Sequence, residues 1–435
     1  MGKNSRRRRV DKQRRDAERR RHRAAQRTGA DSDEVCDLMA DRPRSERSEP
    51  DDAVANTCRQ FEQVLGLVLR DRLWANGWQP GEVLRHVRRA SGTAATSVLA
   101  MAIAADSAHH DRVGDAVHDS WRRQTDQIFA QCEHEPDRDG WLARWLDAGG
   151  DGVGLPTVRA VLDELLSLPR LPTLLSPPGS TGIVDVDLAD VDAAPSPKLV
   201  TIRGLLAKAE STEFPAEAEA FTAKAQAMMT EARLDEATVR ASPGRRSTGR
   251  VSAIRIGIDE PYIASKQTLL HVVAEANDVR CVFHRRVDLA TLVGPVGQLA
   301  HVELLFTSLL IQVQSFLAAD AADAPAGSRV RSRGYRSAFI VGFARRIGER
   351  LRAARNASFA DVGPDALPVL AADDRATAEL FDRLVGRTTP IRSSAGNDIF
   401  GAQAGSSAAD RAALREAGLR GAGKNPPPSQ LRDAG

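Results

Sequence analysis

Cysteine is nearly absent from this chain. The four residues, at 36, 58, 132 and 281, are too few and too scattered for a disulfide framework, and no C-x-x-C pair occurs. Reduced thiols are therefore expected. Aromatic residues are scarce at 4%, and they are segregated. All five Trp lie between Trp74 and Trp145, while both Tyr, Tyr262 and Tyr335, lie in the second half, which points to two separately composed folding units. No run of eighteen apolar residues exists, and no charged start precedes an apolar signal core. A cytoplasmic location without a membrane partner is expected. The patterns G-x-x-x-x-G-K-[ST], G-x-G-x-x-G and G-x-S-x-G are also missing, which disfavours ATP hydrolysis, dinucleotide chemistry and a nucleophile-elbow hydrolase. No cofactor and no metal are expected.

What the chain has is charge, unevenly placed. The net charge of +3 conceals thirteen Lys and Arg against three acids between Met1 and Arg27, a local balance of +10 that leaves −7 on the remainder. Arg6, Arg7, Arg8, Arg9, Arg14, Arg15, Arg19, Arg20 and Arg21 dominate this arm. Each cation placed near a phosphate releases condensed counterions, so the arm is a candidate for sequence-independent contact with a polyanion. The plain alternative is a solubilising, charge-rich tail. The arm carries no aromatic for base stacking, which argues against a preference for single strands.

The 435 residues are enough for two or three domains. Residues 1–53 read as a disordered basic arm, too polar to bury a core. Residues 54–169 read as an all-α N-terminal domain: helices are expected over 54–75, from Pro80 to the Gly92 break, and over 94–108, 113–131, 139–148 and 156–168. The Pro- and Gly-rich stretch 170–197 reads as a linker. A helical hairpin at 198–240 and a connector at 241–250 follow. A small α+β domain then occupies 251–385, with a helix at 265–277, short strands at 279–284 and 289–293, a long helix from Pro295 to Leu317, a basic helix at 332–355 and a shorter one at 371–385. The Gly/Ala-rich tail, 386–435, is expected to be mobile. The fold class is mainly α: an all-α N-terminal body, a central helical hairpin and a small α-β-β-α-α C-terminal domain.

The hairpin is the most sharply patterned stretch. Leu199, Ile202, Leu205, Leu206 and Ala209 share one helical face, and Pro215 opens a second helix whose first turn gains negative charge from Glu217 and Glu219. Ala218, Phe221, Ala225, Met228 and Ala232 then form a narrow seam of small residues that suits close antiparallel packing. Through Leu205, Leu206, Ala209, Glu217, Ala218, Lys224, Ala225, Gln226 and Met229 this stretch resembles the family known as domain of unknown function 2786, with its LLAxA–turn–EAxxAxxKAxxLM layout. Phe221 departs from it, standing where the family usually has a small residue. The region after the hairpin, notably LAHVELLFTSLLIQVQ, resembles the part that accompanies this domain in actinobacterial and phage members, and LWANGWQPGEVLRHVRR resembles the leading segment of longer ones. The resemblance implies a family without an agreed activity, and no catalytic residue is carried over.

Four other constellations bear on chemistry. In the helix at 332–355, Tyr335, Phe339, Phe343, Ile347 and Leu351 recur every four residues and read as core. Arg331 and Arg333 sit at its start, where helix polarity disfavours cations unless an anion is bound, and Arg336 and Arg345 lie further around it. Trp78-Gln79-Pro80-Gly81 followed by Arg85, His86, Arg88 and Arg89 resembles the turn and second helix of a helix-turn-helix, a pattern also common in plain bundles. Cys281 and His284 have C-x-x-H spacing, but strand geometry sends them to opposite faces. Glu217 and Lys224 stand two turns apart, about 10 Å along the axis, too far for direct proton exchange.

These observations favour a non-enzymatic role in association with nucleic acid or nucleoprotein, with the arm and with Arg331, Arg333, Arg336 and Arg345 supplying phosphate contacts. A protein partner docked on the hairpin seam is the competing expectation. An enzyme with a site of unrecognised kind is the third.

Overall fold

The computed structural model describes residues 50–130, 140–147, 154–180, 201–202, 205, 224, 228, 251–322, 324–325, 327–360, 367–389 and 398–412. The chain divides into two compact units between Ile183 and Val184. Among the described residues it is mainly α, with ten α-helices and one three-stranded sheet.

In the first unit, α1 (Pro50–Leu67) passes without a break into a π-helical segment, Val68–Trp74. After a turn at Gly77 come α2 (Pro80–Val113), α3 (Asp119–Phe129), α4 (Trp141–Asp147) and α5 (Leu155–Leu166). The two helices expected on either side of Gly92 form one kinked rod, with Gly92 at φ 81° as the kink. All five Trp are at most 5% exposed, and Trp74 and Trp121 meet edge to face at 5.0 Å.

The Pro-rich stretch expected as linker from 170 begins instead as part of this unit. Leu171, Leu174 and Leu175 are buried, the Leu171 N–H donates to Asn76 O at 2.9 Å and Trp78 Nε1 donates to Pro169 O at 2.8 Å. The backbone carbonyl of Leu171 lies 2.4 Å from where a Cβ on Gly77 would stand, so only glycine admits the strap. The proline content that suggested a spacer permits an extended strap fixed by its leucines.

A buried polar knot ties the same unit. Asp106, 4% exposed, accepts from Arg70 Nη1 and Trp74 Nε1, both at 2.8 Å, and forms a 3.5 Å ion pair with His110 Nε2. His110 Nδ1 meets Asp115 at 2.7 Å. Burial works against charge on His110, yet hydrogen bonding and the negative charges of Asp106 and Asp115 outweigh it and raise its pKa.

The second unit carries β1 (Val251–Gly257), α6 (Ile263–Ala276), β2 (Arg280–His284), β3 (Leu289–Pro295), α7 (Val296–Ala322), a 3-10 turn (Arg329–Arg331), α8 (Arg333–Ala360), α9 (Leu367–Val385) and α10 (Ile399–Arg411). The sheet is antiparallel in the order β1-β3-β2. Ile254, Ile256, Cys281, Phe283, Ala290 and Leu292 share the face that packs on α6 and α7. Arg255, His284 and Thr291 lie on the opposite face, and α9 touches all three strands.

Two elements correct the α-β-β-α-α expectation. β1 was not expected, although Ile254 and Ile256 alternate with Ala253 and Arg255 as a strand requires. Nor is the stretch after 386 uniformly a mobile tail, since α10 packs along α8. Ideal Cβ atoms on Gly342, Gly401 and Gly405 would lie 2.0, 2.5 and 1.9 Å from the carbonyl oxygens of Ala402, Tyr335 and Phe339. The glycines thus set two backbones in contact. Asp398 caps α10, accepting from the N–H groups of Phe400 and Gly401, and Arg350 donates to the carbonyls of Ala409 and Ala412 at its far end.

α7 is long and apolar enough by composition to cross a membrane. Here Leu299, Val302, Leu305, Phe306, Leu309, Val313 and Leu317 are buried in the core of the unit, against β1, β3 and α6.

Candidate functional site

The starts of α6 and α8 open onto one cleft of about 480 Å³, lined by Glu260, Tyr262, Ile263, Ala264, Ser265, Arg333, Gly334 and Ser337. Tyr262, at φ 67°, begins α6 without a side-chain cap; its carbonyl accepts from the N–H groups of Ser265 and Lys266 at 3.0 Å, and its side chain caps neither Ile263 nor Ala264. On α8 the Ser332 hydroxyl accepts from the Tyr335 N–H at 3.2 Å. Ser265 Oγ and Ser337 Oγ lie 2.8 Å apart, and Ser265 Oγ also donates to Ser337 O at 3.1 Å, locking the two helix starts together. Both helix dipoles therefore direct positive potential into the cleft, where the exposed Arg333 adds a full charge and Glu260 opposes it at the rim. Such an arrangement has the chemistry to accept an anion, through backbone N–H groups and one guanidinium.

The four arginines selected from the sequence do not share this place. Arg333 lines the cleft. Arg331 turns to the C-terminal end of α7, its Nη2 3.2 Å from Ala321 O and 3.4 Å from Ala324 O. Arg336 is half-buried, with an Nε that finds no hydrogen-bond partner. Arg345 is exposed, but twelve residues past Arg333 on the same helix, roughly 18 Å along its axis. The other cations of α8 serve the fold: Arg346 pairs with Asp410 and Glu349, Arg352 with Glu275 and Arg355 with Asp278.

The helix-turn-helix resemblance resolves into packing. Trp78 is buried and His86 meets Glu164 at 2.7 Å, an interaction that lowers the Glu164 pKa. Only Arg88 and Arg89 of the quartet are exposed. Cys281 and His284 do lie on opposite sheet faces, and His284 Nε2 bonds Thr291 Oγ1 at 2.8 Å. Among the described residues no group of three or more His, Cys, Asp or Glu could hold a metal ion.

Of the hairpin, Ile202 is fully buried against Leu205, Met228 and Leu304 of α7, so this part of the seam is taken up within the chain itself. Lys224 is exposed on its helix. Leu206, Ala209, Glu217, Ala218, Ala225, Gln226 and Met229 fall outside the described residues, as does the whole arm, Arg6 to Arg21 included.

Sequence reasoning missed Glu260 to Ser265, the larger part of the cleft. The pair E-P before a helix with no Ser, Thr, Asp or Asn immediately ahead of it was the available signal. It also missed Asp106 and His110, whose i, i+4 spacing on a helix of mostly apolar and small residues marks a buried polar pair.

The fold and cleft define a mainly α protein of two units with an anion-friendly junction of helix starts. Within it, residues 198–236 match the family model described as "Protein of unknown function (DUF2786)", so the resemblance read from LLAKA, EAEAF and KAQAMM holds for that segment. The match is confined to it and does not extend to the regions on either side. No curated protein and no solved structure matches the chain.

Proposed function

We propose that this is a cytoplasmic, non-enzymatic protein that associates with nucleic acid or nucleoprotein through phosphate contacts. The observation that carries the reading is the junction of two helix starts with Arg333, a built position for one backbone phosphate. The basic arm supports it by supplying a local +10 on a chain whose remainder is −7. The arm gives affinity and the cleft gives a fixed point. Neither offers a set of base-reading side chains, so the association is largely indifferent to sequence.

Retardation of duplex DNA and RNA by the full chain is the test, against a chain starting at Pro50, which keeps α1 whole, and against full-length Arg333→Gln. Binding should fall steeply with salt, nearly vanish without residues 1–49, and lose about one unit of log–log salt slope in Arg333→Gln. Equal, weak binding by all three chains would overturn the proposal.

A further inference from the structure

The first unit contains a second cleft, of about 280 Å³. It lies between two helical faces. Positions 59, 62, 63 and 66 of α1 and 70 of the π-helical segment form one wall, and positions 102, 105, 106, 109 and 112 of α2 form the other, both at spacings of three and four. Trp141, at the start of α4, closes one end.

The charges in this cleft are not balanced at its surface. Its two carboxylates are occupied from within. Glu62 accepts the Gly140 N–H at 2.9 Å and the Leu142 N–H at 2.6 Å, so it serves as an N-terminal anchor for α4. Asp106 has one oxygen on Arg70 and the other on Trp74. Three guanidinium groups remain as the chemistry presented to a ligand. Arg59 and Arg112 are exposed, and among the described residues neither meets a carboxylate. Arg70 is held at the back by Asp106, which fixes its orientation as a bound ligand would need.

The backbone around Arg70 is shaped for it. A Cβ on Gly66 would stand 3.1 Å from both Nη1 and Nη2 of Arg70, so the glycine clears the space that the guanidinium plane fills. The residue lies in the seven-residue π-helical segment, a wider winding that is rare and concentrates at functional sites. Arg70 and Trp74, four positions apart in it, reach the same carboxylate. His109 adds an imidazole to the wall, its pKa lowered by burial and by the neighbouring Arg70 and His110.

We propose that this cleft binds a small phosphate monoester, with Arg59, Arg70 and Arg112 gripping the phosphate and the Trp141 end taking the organic group. Guanidinium forks match phosphate oxygens two at a time, and three of them suit a dianion better than a single carboxylate. The volume lies at the small end of ligand pockets, which suits a small ligand. The site shares no residue with the phosphate position proposed at Arg333.

The test is calorimetric titration of the full chain with phenyl phosphate, inorganic phosphate and benzoate, with Trp emission recorded in parallel because every Trp belongs to this unit. Arg59→Gln and Arg112→Gln are surface changes and should fold normally by circular dichroism. Each is expected to weaken phenyl phosphate about tenfold, and Arg345→Gln to leave it unchanged. Saturable binding of inorganic phosphate with the same dependence on Arg59 and Arg112 also supports the site. No saturable binding of either phosphate overturns the proposal. So does binding that ignores Arg59 and Arg112, which would place the anion elsewhere, on the basic arm or at Arg333, and so does benzoate binding as tightly as phenyl phosphate.

Discussion

Asp106 ties α2 to the π-helical segment through one carboxylate, taking donors from Arg70 and Trp74 and pairing with His110 one turn on. Removing one member of such a buried set leaves the others desolvated and unpaired, at about 3–5 kcal/mol. Asp106→Ala should lower urea-measured stability by that amount, with Trp emission reporting the loss. The histidines set opposite pH trends. His301 is 6% exposed, its Nδ1 has no partner, and burial pushes its pKa down to about 4. The unfolded chain takes up that proton near 6.5 and the folded one does not, so stability drains away as pH falls from about 6.5 towards 4. His301→Leu should remove up to about 3 kcal/mol of this acid loss, read from denaturation midpoints across pH. His110 runs the other way. Its raised pKa gives a contribution that is complete below the ordinary imidazole range and is lost as pH climbs through the folded value. His110→Gln should therefore flatten the alkaline limb and leave the acid limb intact.

At the scale of elements, α10 shows how close packing can hide in composition. Gly405→Val places side-chain atoms on the Phe339 carbonyl, where even a Cβ would lie at 1.9 Å, and should cost about 3 kcal/mol with loss of hydrogen-exchange protection along α10. Gly334→Ala, with nothing within 4 Å, should be neutral or gain a few tenths of a kcal/mol. The sequence made the large apolar helices legible, because Tyr335, Phe339, Phe343, Ile347 and Leu351 repeat with a helical period and all are buried. α10 was not legible, because its contact surface consists of absent side chains, and Gly and Ala carry no hydrophobic signal. β1 was readable in principle from Ile254 and Ile256 but is only seven residues long. The cleft at Arg333 was half visible. A cation at a helix start is a local anomaly that a sequence displays, whereas the approach of α6 depends on a pairing between Ser265 and Ser337, seventy-two positions apart.

For the molecule as a whole, charge and aromatic content are partitioned along the chain. Taking away residues 1–27 turns a net +3 into −7, so the shortened protein should move from cation- to anion-exchange retention at neutral pH. Its hold on duplex nucleic acid should fall in parallel in the retardation assay. The distribution of Trp and Tyr makes the two units separately observable, with indole emission following residues before Ile183.

The glycine-lined contact between α8 and α10 has a bearing on biosynthesis. The helix that covers the Tyr335 and Phe339 carbonyls is the last described one to be translated, ending at Arg411. A nascent chain must hold the second unit unfinished until that codon has been read and its product has cleared the ribosome. A nonsense lesion anywhere between 390 and 398 would leave nearly every core residue in place and still release a polypeptide whose main helix lacks its lid, a natural substrate for quality-control proteases.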